Sequence, residues 1–92
     1  MRRLSRTLTI VNQKGLHARA SAKFVTFVAR LPEGLVVEVE KDGHSVNGTS
    51  IMGLMMLGAA KGSDIILHVS GDGADMALEK LAGLITDGFG ED

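Results

Sequence analysis

Apolar side chains recur at every second residue in three stretches of this chain and at every third or fourth in two others, which restricts it to a mixed α and β fold. From Leu4 to Val11 the pattern alternates. Leu4, Arg6, Leu8 and Ile10 take one side and Ser5, Thr7 and Thr9 the other, so Leu4, Leu8 and Ile10 mark the buried face of a strand. Asn12 to Gly15 reads as a turn. Between Ala18 and Leu31 the residues Ser21, Phe24, Val25, Val28 and Leu31 take the spacing of one helix face. Pro32 stops that helix, because the residue before a proline is pushed out of the helical region.

Alternation returns from Leu35 to Glu40, with Leu35, Val37 and Val39 on one face. Asp42-Gly43 is a hairpin signal, since both turn positions favour positive φ, and a short strand around His44 to Asn47 follows. Ser50 to Leu57 reads as a short helix capped by Thr49 or Ser50, with Gly58 and Gly62 bracketing its exit. Ile65, Leu67 and Val69 form the inward face of a further strand. Gly71-Asp72-Gly73 is a turn in which Asp72 is the expected cap. The last helix carries Ala77, Leu78, Leu81, Leu84 and Ile85 on one face, and Gly88 and Gly90 predict a frayed end. Helices with one apolar stripe each must pack on the apolar face of a single sheet. The order strand, helix, strand, strand, helix, strand, helix predicts an α+β open-faced sandwich of the split βαβ kind. The order alone does not fix the strand pairing.

A chain of 92 residues is expected to form one domain, residues 1–92, with a core too small to enclose a large cleft. Its chemistry is therefore expected at the surface or in combination with a partner. With 45% hydrophobic and 23% charged residues it is not a disordered chain. Without cysteine it has no disulfide or thiolate metal site, and no metal or cofactor is expected. Ten basic and eleven acidic residues nearly cancel, and three phenylalanines with no Trp or Tyr provide no stacking platform, so nucleic acid is not an expected partner. No long apolar run follows Arg2 and Arg3, so neither a signal peptide nor a membrane span is expected, and the cytoplasm is the expected compartment.

The stretch Gly15-Leu16-His17-Ala18-Arg19 carries the most chemical information. It sets a histidine where a glycine turn meets the start of a helix. First-turn backbone N–H groups lack intrahelical acceptors and sit at the positive end of the helix dipole, which makes an anion site. Arg19 adds a permanently charged planar fork suited to phosphate oxygens. A partly neutral imidazole is nucleophilic near neutral pH, and a phosphorylated ring nitrogen remains a good leaving group. The same position also suits a capping or solvated histidine, and the local pattern does not choose between the two.

A second stretch, Thr49 to Gly58, is too apolar for a short helix to bury every side chain, so some of Ile51, Met52 and Met55 should stay exposed. Methionines adapt to varied partner surfaces, although a methionine stripe at helical spacing is also ordinary core. His44 and His68 fall on predicted strands and are expected to face solvent without a role. Gly71-Asp72-Gly73 is too short for a phosphate loop. Asp72, Asp75 and Glu79 read as favourable charges at a helix start.

Taken together, Gly15-Leu16-His17-Ala18-Arg19 and Ser50-Ile51-Met52-Gly53-Leu54-Met55 with Leu57-Gly58 resemble the active-site and regulatory-serine motifs of the HPr family, the histidine-containing phosphocarriers of the bacterial phosphotransferase system. The resemblance covers nearly the whole chain. It implies a four-stranded antiparallel sheet covered on one face by three helices. It implies that His17 takes a phosphoryl group on its pros nitrogen, Nδ1, from phosphorylated Enzyme I, which draws on phosphoenolpyruvate, and passes it to a IIA-type protein. Arg19 and the backbone of Ala18 and Arg19 would hold the phosphate. Ser50 would be the target of an ATP-dependent HPr kinase/phosphorylase. Ala22, Ile51, Met52 and Met55 would form the partner-docking patch. A monomer with transient partners, itself a substrate and not an enzyme, fits that role.

The sequence departs from the family pattern at Ala20, where proline is usual in the first helical turn, which leaves one more backbone donor. Thr26 and Ala29 replace residues that are often basic, and Lys14, Lys23 and Arg30 offer charge elsewhere. The sugar branch and the nitrogen-related branch of the system both stay open. Two other classes also remain: a ligand-binding regulatory module of the ACT type, and an adaptor that uses the methionine patch alone.

Overall fold

The computed structural model describes residues 3–91. Its elements are β1 (Arg3–Thr9), α1 (Ala18–Ala29), β2 (Val36–Lys41), β3 (His44–Asn47), α2 (Ile51–Met56), β4 (Asp64–Ser70) and α3 (Ala74–Thr86), followed by a 3-10 turn at Gly88–Gly90. The four strands pair antiparallel in the order β1-β4-β2-β3. This is the open-faced α+β sandwich, with three helices on one face.

Register follows from the apolar alternation. Leu4, Arg6 and Leu8 of β1 stand opposite Val69, Leu67 and Ile65 of β4, and Val37 and Val39 of β2 stand opposite Val69 and Leu67. A slip of one residue would turn each of these apolar sets toward water. Ile65, Leu67 and Val69 on the central strand are fully buried and receive Phe24 from α1, Leu54 from α2, and Leu78, Leu81 and Ile85 from α3. Ser21 is buried with them, and its hydroxyl donates to Leu16 O at 3.2 Å, so no polar group is stranded there.

The turns mostly do what their residues require. Asp42 and Gly43 both take positive φ, +51° and +82°, as a two-residue hairpin needs. Helix α1 ends at Ala29, two residues earlier than the apolar pattern suggests. Arg30 and Leu31 N–H donate instead to Phe27 O and Val28 O, a tightened last turn that lets the chain leave before Pro32.

Three expectations need correction. Asp72 does not cap α3: Gly73, with φ +82°, is the N-cap, and no side chain bonds the helix start. The segment after α3 is not frayed. Phe89, between Gly88 and Gly90, is buried in the core, and Lys23 Nζ donates to its carbonyl at 2.8 Å. His68 does not face solvent freely; it is only 8% exposed. It lies on the sheet face away from the helices, where Ser5 Oγ sits 2.6 Å from its Nδ1 and Glu40 Oε1 sits 2.8 Å from its Nε2. The three side chains belong to adjacent strands and clamp the open face of the sheet. His44 is exposed, as expected.

Candidate functional site

His17 is the N-cap residue of α1, with extended backbone at φ −75° and ψ −178°. Gly15 puts it there. Its φ of +62° is a left-handed conformation, and a Cβ on it would lie 2.3 Å from Ala59 O. The close approach allows Leu16 N–H to donate to Ala59 O at 2.9 Å, and Leu16 is buried. The chain is thus clamped immediately before His17. Ser21 N–H donates to His17 O at 2.9 Å and starts the helix.

No side chain caps α1 and no acidic residue stands in its first turn. The leading N–H groups, those of Ala18 and Arg19 among them, therefore keep their hydrogen-bonding capacity at the positive end of the helix. Ala18 and Arg19 are exposed, whereas Ala20 is fully buried. The His17 side chain is 24% exposed, so a visiting molecule can reach it. Its Nε2 lies 2.8 Å from Glu91 Oε2, and among the described residues Nδ1 makes no hydrogen bond. A carboxylate only accepts, so the bond requires a proton on Nε2, and the lone pair of the neutral ring is then on Nδ1.

Burial tends to raise the Glu91 carboxyl. Hydrogen bonds from Asn12 and His17, with the charges of His17 and Lys23, outweigh it and hold the group below its ordinary value of 4.5. Lys14, Arg19 and Lys23 surround a depression floored by Gly90 and Glu91. Positive charge is therefore gathered beside the imidazole, as anion chemistry requires. No group of His, Cys, Asp or Glu among the described residues could hold a metal ion.

The second motif lies on the neighbouring helix, because α1 and α2 pack against each other. Ser50 is the N-cap of α2, and its hydroxyl oxygen accepts from Gly53 N–H at 2.9 Å. Leu54 is the buried side of this helix. Ile51, Met52 and Met55 are exposed, Met52 by 69%. Met56, not singled out from the sequence, is 80% exposed and extends the apolar patch. Ala22 is half-buried on α1, near Arg19 and Lys23.

Residues 4–87 match the family described as "PTS HPr component phosphorylation site". The chain belongs to the HPr family. A phosphocarrier protein HPr of Pseudomonas aeruginosa is 47% identical over 91% of this chain and 92% of its own length. One from Neisseria meningitidis is 46% identical over 96% and 97%. The crystal structure of an HPr from Thermoanaerobacter tengcongensis superposes with a TM-score of 0.89 at 39% identity, covering 97% of this chain and 98% of that one. HPr proteins are phosphocarriers of the phosphotransferase system, and this chain is one of them. The ACT-type and pure adaptor readings are therefore set aside.

Sequence reasoning missed Asn12, Phe89 and Glu91 as parts of this site. Asn12 is 3% exposed and donates through Nδ2 to Gly15 O at 2.9 Å and to Glu91 Oε1 at 3.0 Å, which locks turn and tail together. The one available signal was Phe89, since a large aromatic between two glycines is out of place in a solvated tail.

Proposed function

We propose that His17 Nδ1 is the atom that accepts the phosphoryl group from phosphorylated Enzyme I and yields it to a IIA-type protein. The observation that carries this is the pairing of Nε2 with Glu91, which leaves the Nδ1 lone pair to attack. In the forward step a new Nδ1–P bond forms as the donor's bond to phosphorus breaks. In the return step the pair in the Nδ1–P bond goes back to the ring. Arg19 and the backbone N–H groups of Ala18 and Arg19 hold the phosphate oxygens. The carrier needs no cofactor or metal for this, because its chemistry is positioning and charge, completed by whichever partner is docked.

Ala22, Ile51, Met52 and Met55 form the surface on which Enzyme I and the IIA protein alternate, and Met56 joins it. Ser50 is the regulatory site for an HPr kinase/phosphorylase. A phosphate there adds about 1.5 to 2 negative charges at neutral pH at the rim of the apolar patch. It opposes docking of an acidic partner without unfolding α2, whose N-terminus favours negative charge. Residues 1–92 make a single phosphocarrier domain, and the chain works in the cytoplasm as a monomer with no nucleic-acid or membrane partner. No helix among the described residues is long and apolar enough to cross a membrane.

The test is intact-mass measurement after incubation with Enzyme I and phosphoenolpyruvate. One phosphoryl group should add, labile in acid and stable in alkali, and His17→Ala should not take it. Phosphorylation of His17→Ala to the wild-type extent would refute the assignment.

A further inference from the structure

The carboxylate behind the His17 ring fixes the tautomer of the free imidazole, and the same contact bears on the phosphorylated ring. Glu91 Oε2 lies 2.8 Å from His17 Nε2, while Oε1 accepts from Asn12 Nδ2 at 3.0 Å. Asn12 is fixed in turn by its bond to Gly15 O. Two residues back, the chain is anchored by the buried Phe89 ring and by the Lys23 bond to Phe89 O. The Glu91 side chain is only 12% exposed, and exclusion of water strengthens its hydrogen bonds. Residues 88–91 also lie beyond the span matched by the family, residues 4–87.

We propose that Glu91 is a positioning residue that controls how readily His17 gives up its phosphoryl group, by holding a proton on Nε2 of the phosphorylated ring. The inference rests on His17 being the acceptor. With the phosphoryl group on Nδ1, the ring exists with or without a proton on Nε2. When Nε2 is protonated, the Nδ1–P electron pair returns to Nδ1, the Nε2–H bond stays intact and neutral imidazole leaves. The phosphorus forms its new bond to the acceptor's nucleophile. When Nε2 is bare, the same cleavage must expel an imidazolate anion, a much poorer leaving group. A carboxylate at hydrogen-bond distance favours the protonated ring, so no proton has to arrive during transfer. In the unphosphorylated protein the same bond directs the lone pair to Nδ1. Glu91 acts on the phosphorus through the ring and touches neither partner.

Wild type and Glu91→Gln, each phosphorylated by Enzyme I and then separated from it, are compared for spontaneous loss of phosphate to water at neutral pH. Nitrogen-15 NMR of the phosphorylated ring reports the state of Nε2. Gln keeps the shape and an acceptor for Asn12 but not the charge. Loss of phosphate should slow about tenfold in Glu91→Gln, the scale of one charge-assisted hydrogen bond. The Nε2 resonance should move toward that of an unprotonated nitrogen. Glu91→Asp, which restores the charge on a shorter arm, should recover part of both changes. Equal rates and an unchanged Nε2 resonance in Glu91→Gln would overturn the role. Failure of the acceptor assignment is separate, because it would show as phosphorylation of His17→Ala.

Discussion

Gly15→Ala tests the feature that presents His17. The new Cβ would lie 2.3 Å from Ala59 O and 2.8 Å from Ala60 Cα, both main-chain atoms with no rotamer to yield. Relief requires the turn and the 59–60 segment to part by about 1 Å, which breaks the Leu16 N–H bond to Ala59 O. The left-handed φ of +62° costs a residue with a side chain about 1–2 kcal/mol. The lost hydrogen bond costs about 1 kcal/mol, and the forced shift in a packed region adds about 1–2 kcal/mol. The substitution should therefore destabilise by roughly 4 kcal/mol, a large share of the 5–15 kcal/mol that holds an ordinary domain together.

Gly58→Ala is the matched control. Its φ is +66°, but nothing lies within 4 Å of a Cβ there, so only the backbone term of about 1–2 kcal/mol applies. Urea unfolding of the two variants should differ by about 2–3 kcal/mol. At about 4–8 °C per kcal/mol for a domain of this size, their melting midpoints should lie on the order of 10–20 °C apart. Below its midpoint, Gly15→Ala should also accept phosphate from Enzyme I about a hundredfold more slowly, since an error of about 1 Å in a reacting group costs on that order. Equal destabilisation by the two alanines would refute the close-approach argument. A wild-type phosphorylation rate in a destabilised Gly15→Ala would refute the claim that this turn positions His17.

Phe89→Ala should cost about 3–5 kcal/mol in urea unfolding, because it empties a buried aromatic site; a frayed-tail residue would cost nothing measurable. It should also release Glu91, seen as loss of amide protection at Gly90 and Glu91. Ser50→Ala removes the acceptor for Gly53 N–H and should lower stability by about 1 kcal/mol with His17 phosphorylation by Enzyme I intact. Ser50→Asp should keep the cap and slow that phosphorylation. The depressed Glu91 carboxyl sets a pH window. Its contribution to stability is present above the ordinary value of 4.5 and is lost as pH falls through the lower folded value. Amide exchange at residues 88–91 should accelerate only in that acid range, and acceleration already above it would contradict the depressed carboxyl.

Much of this molecule was legible because its signals are local. Ile65, Leu67 and Val69 announce a buried strand face through alternation, and Asp42-Gly43 announces a hairpin through the conformations it tolerates. His17 was legible because a glycine turn and the first helical turn adjoin it in sequence. The contacts that went unread join residues far apart in the chain. Glu91 meets His17 across 74 positions and His68 meets Ser5 across 63, so neither leaves a periodic trace. The exposure of His68 was misjudged because alternation fixes the face but not the neighbours, and Ser5 and Glu40 flank it only in the order β1-β4-β2. Asp72 lost the cap to Gly73 because the turn demanded a positive φ at that residue.

At the site one local rule of helix stability is forgone. Helix α2 starts with a serine whose hydroxyl bonds the first turn, and α3 carries Asp75 in its first turn. Helix α1 has neither device, and forgoing a cap typically costs about 1 kcal/mol. An aspartate at the exposed position 18 would stabilise the helix locally, but it would place a negative charge beside the proposed phosphoryl site. The start of α1 is instead held from behind. Leu16 bonds Ala59, Ser21 reaches back to Leu16 O, and Ala20 packs fully buried. These tertiary clamps replace the cap without touching the N–H groups of Ala18 and Arg19, so the positive end of the helix stays open to an anion, as the proposed phosphate site requires.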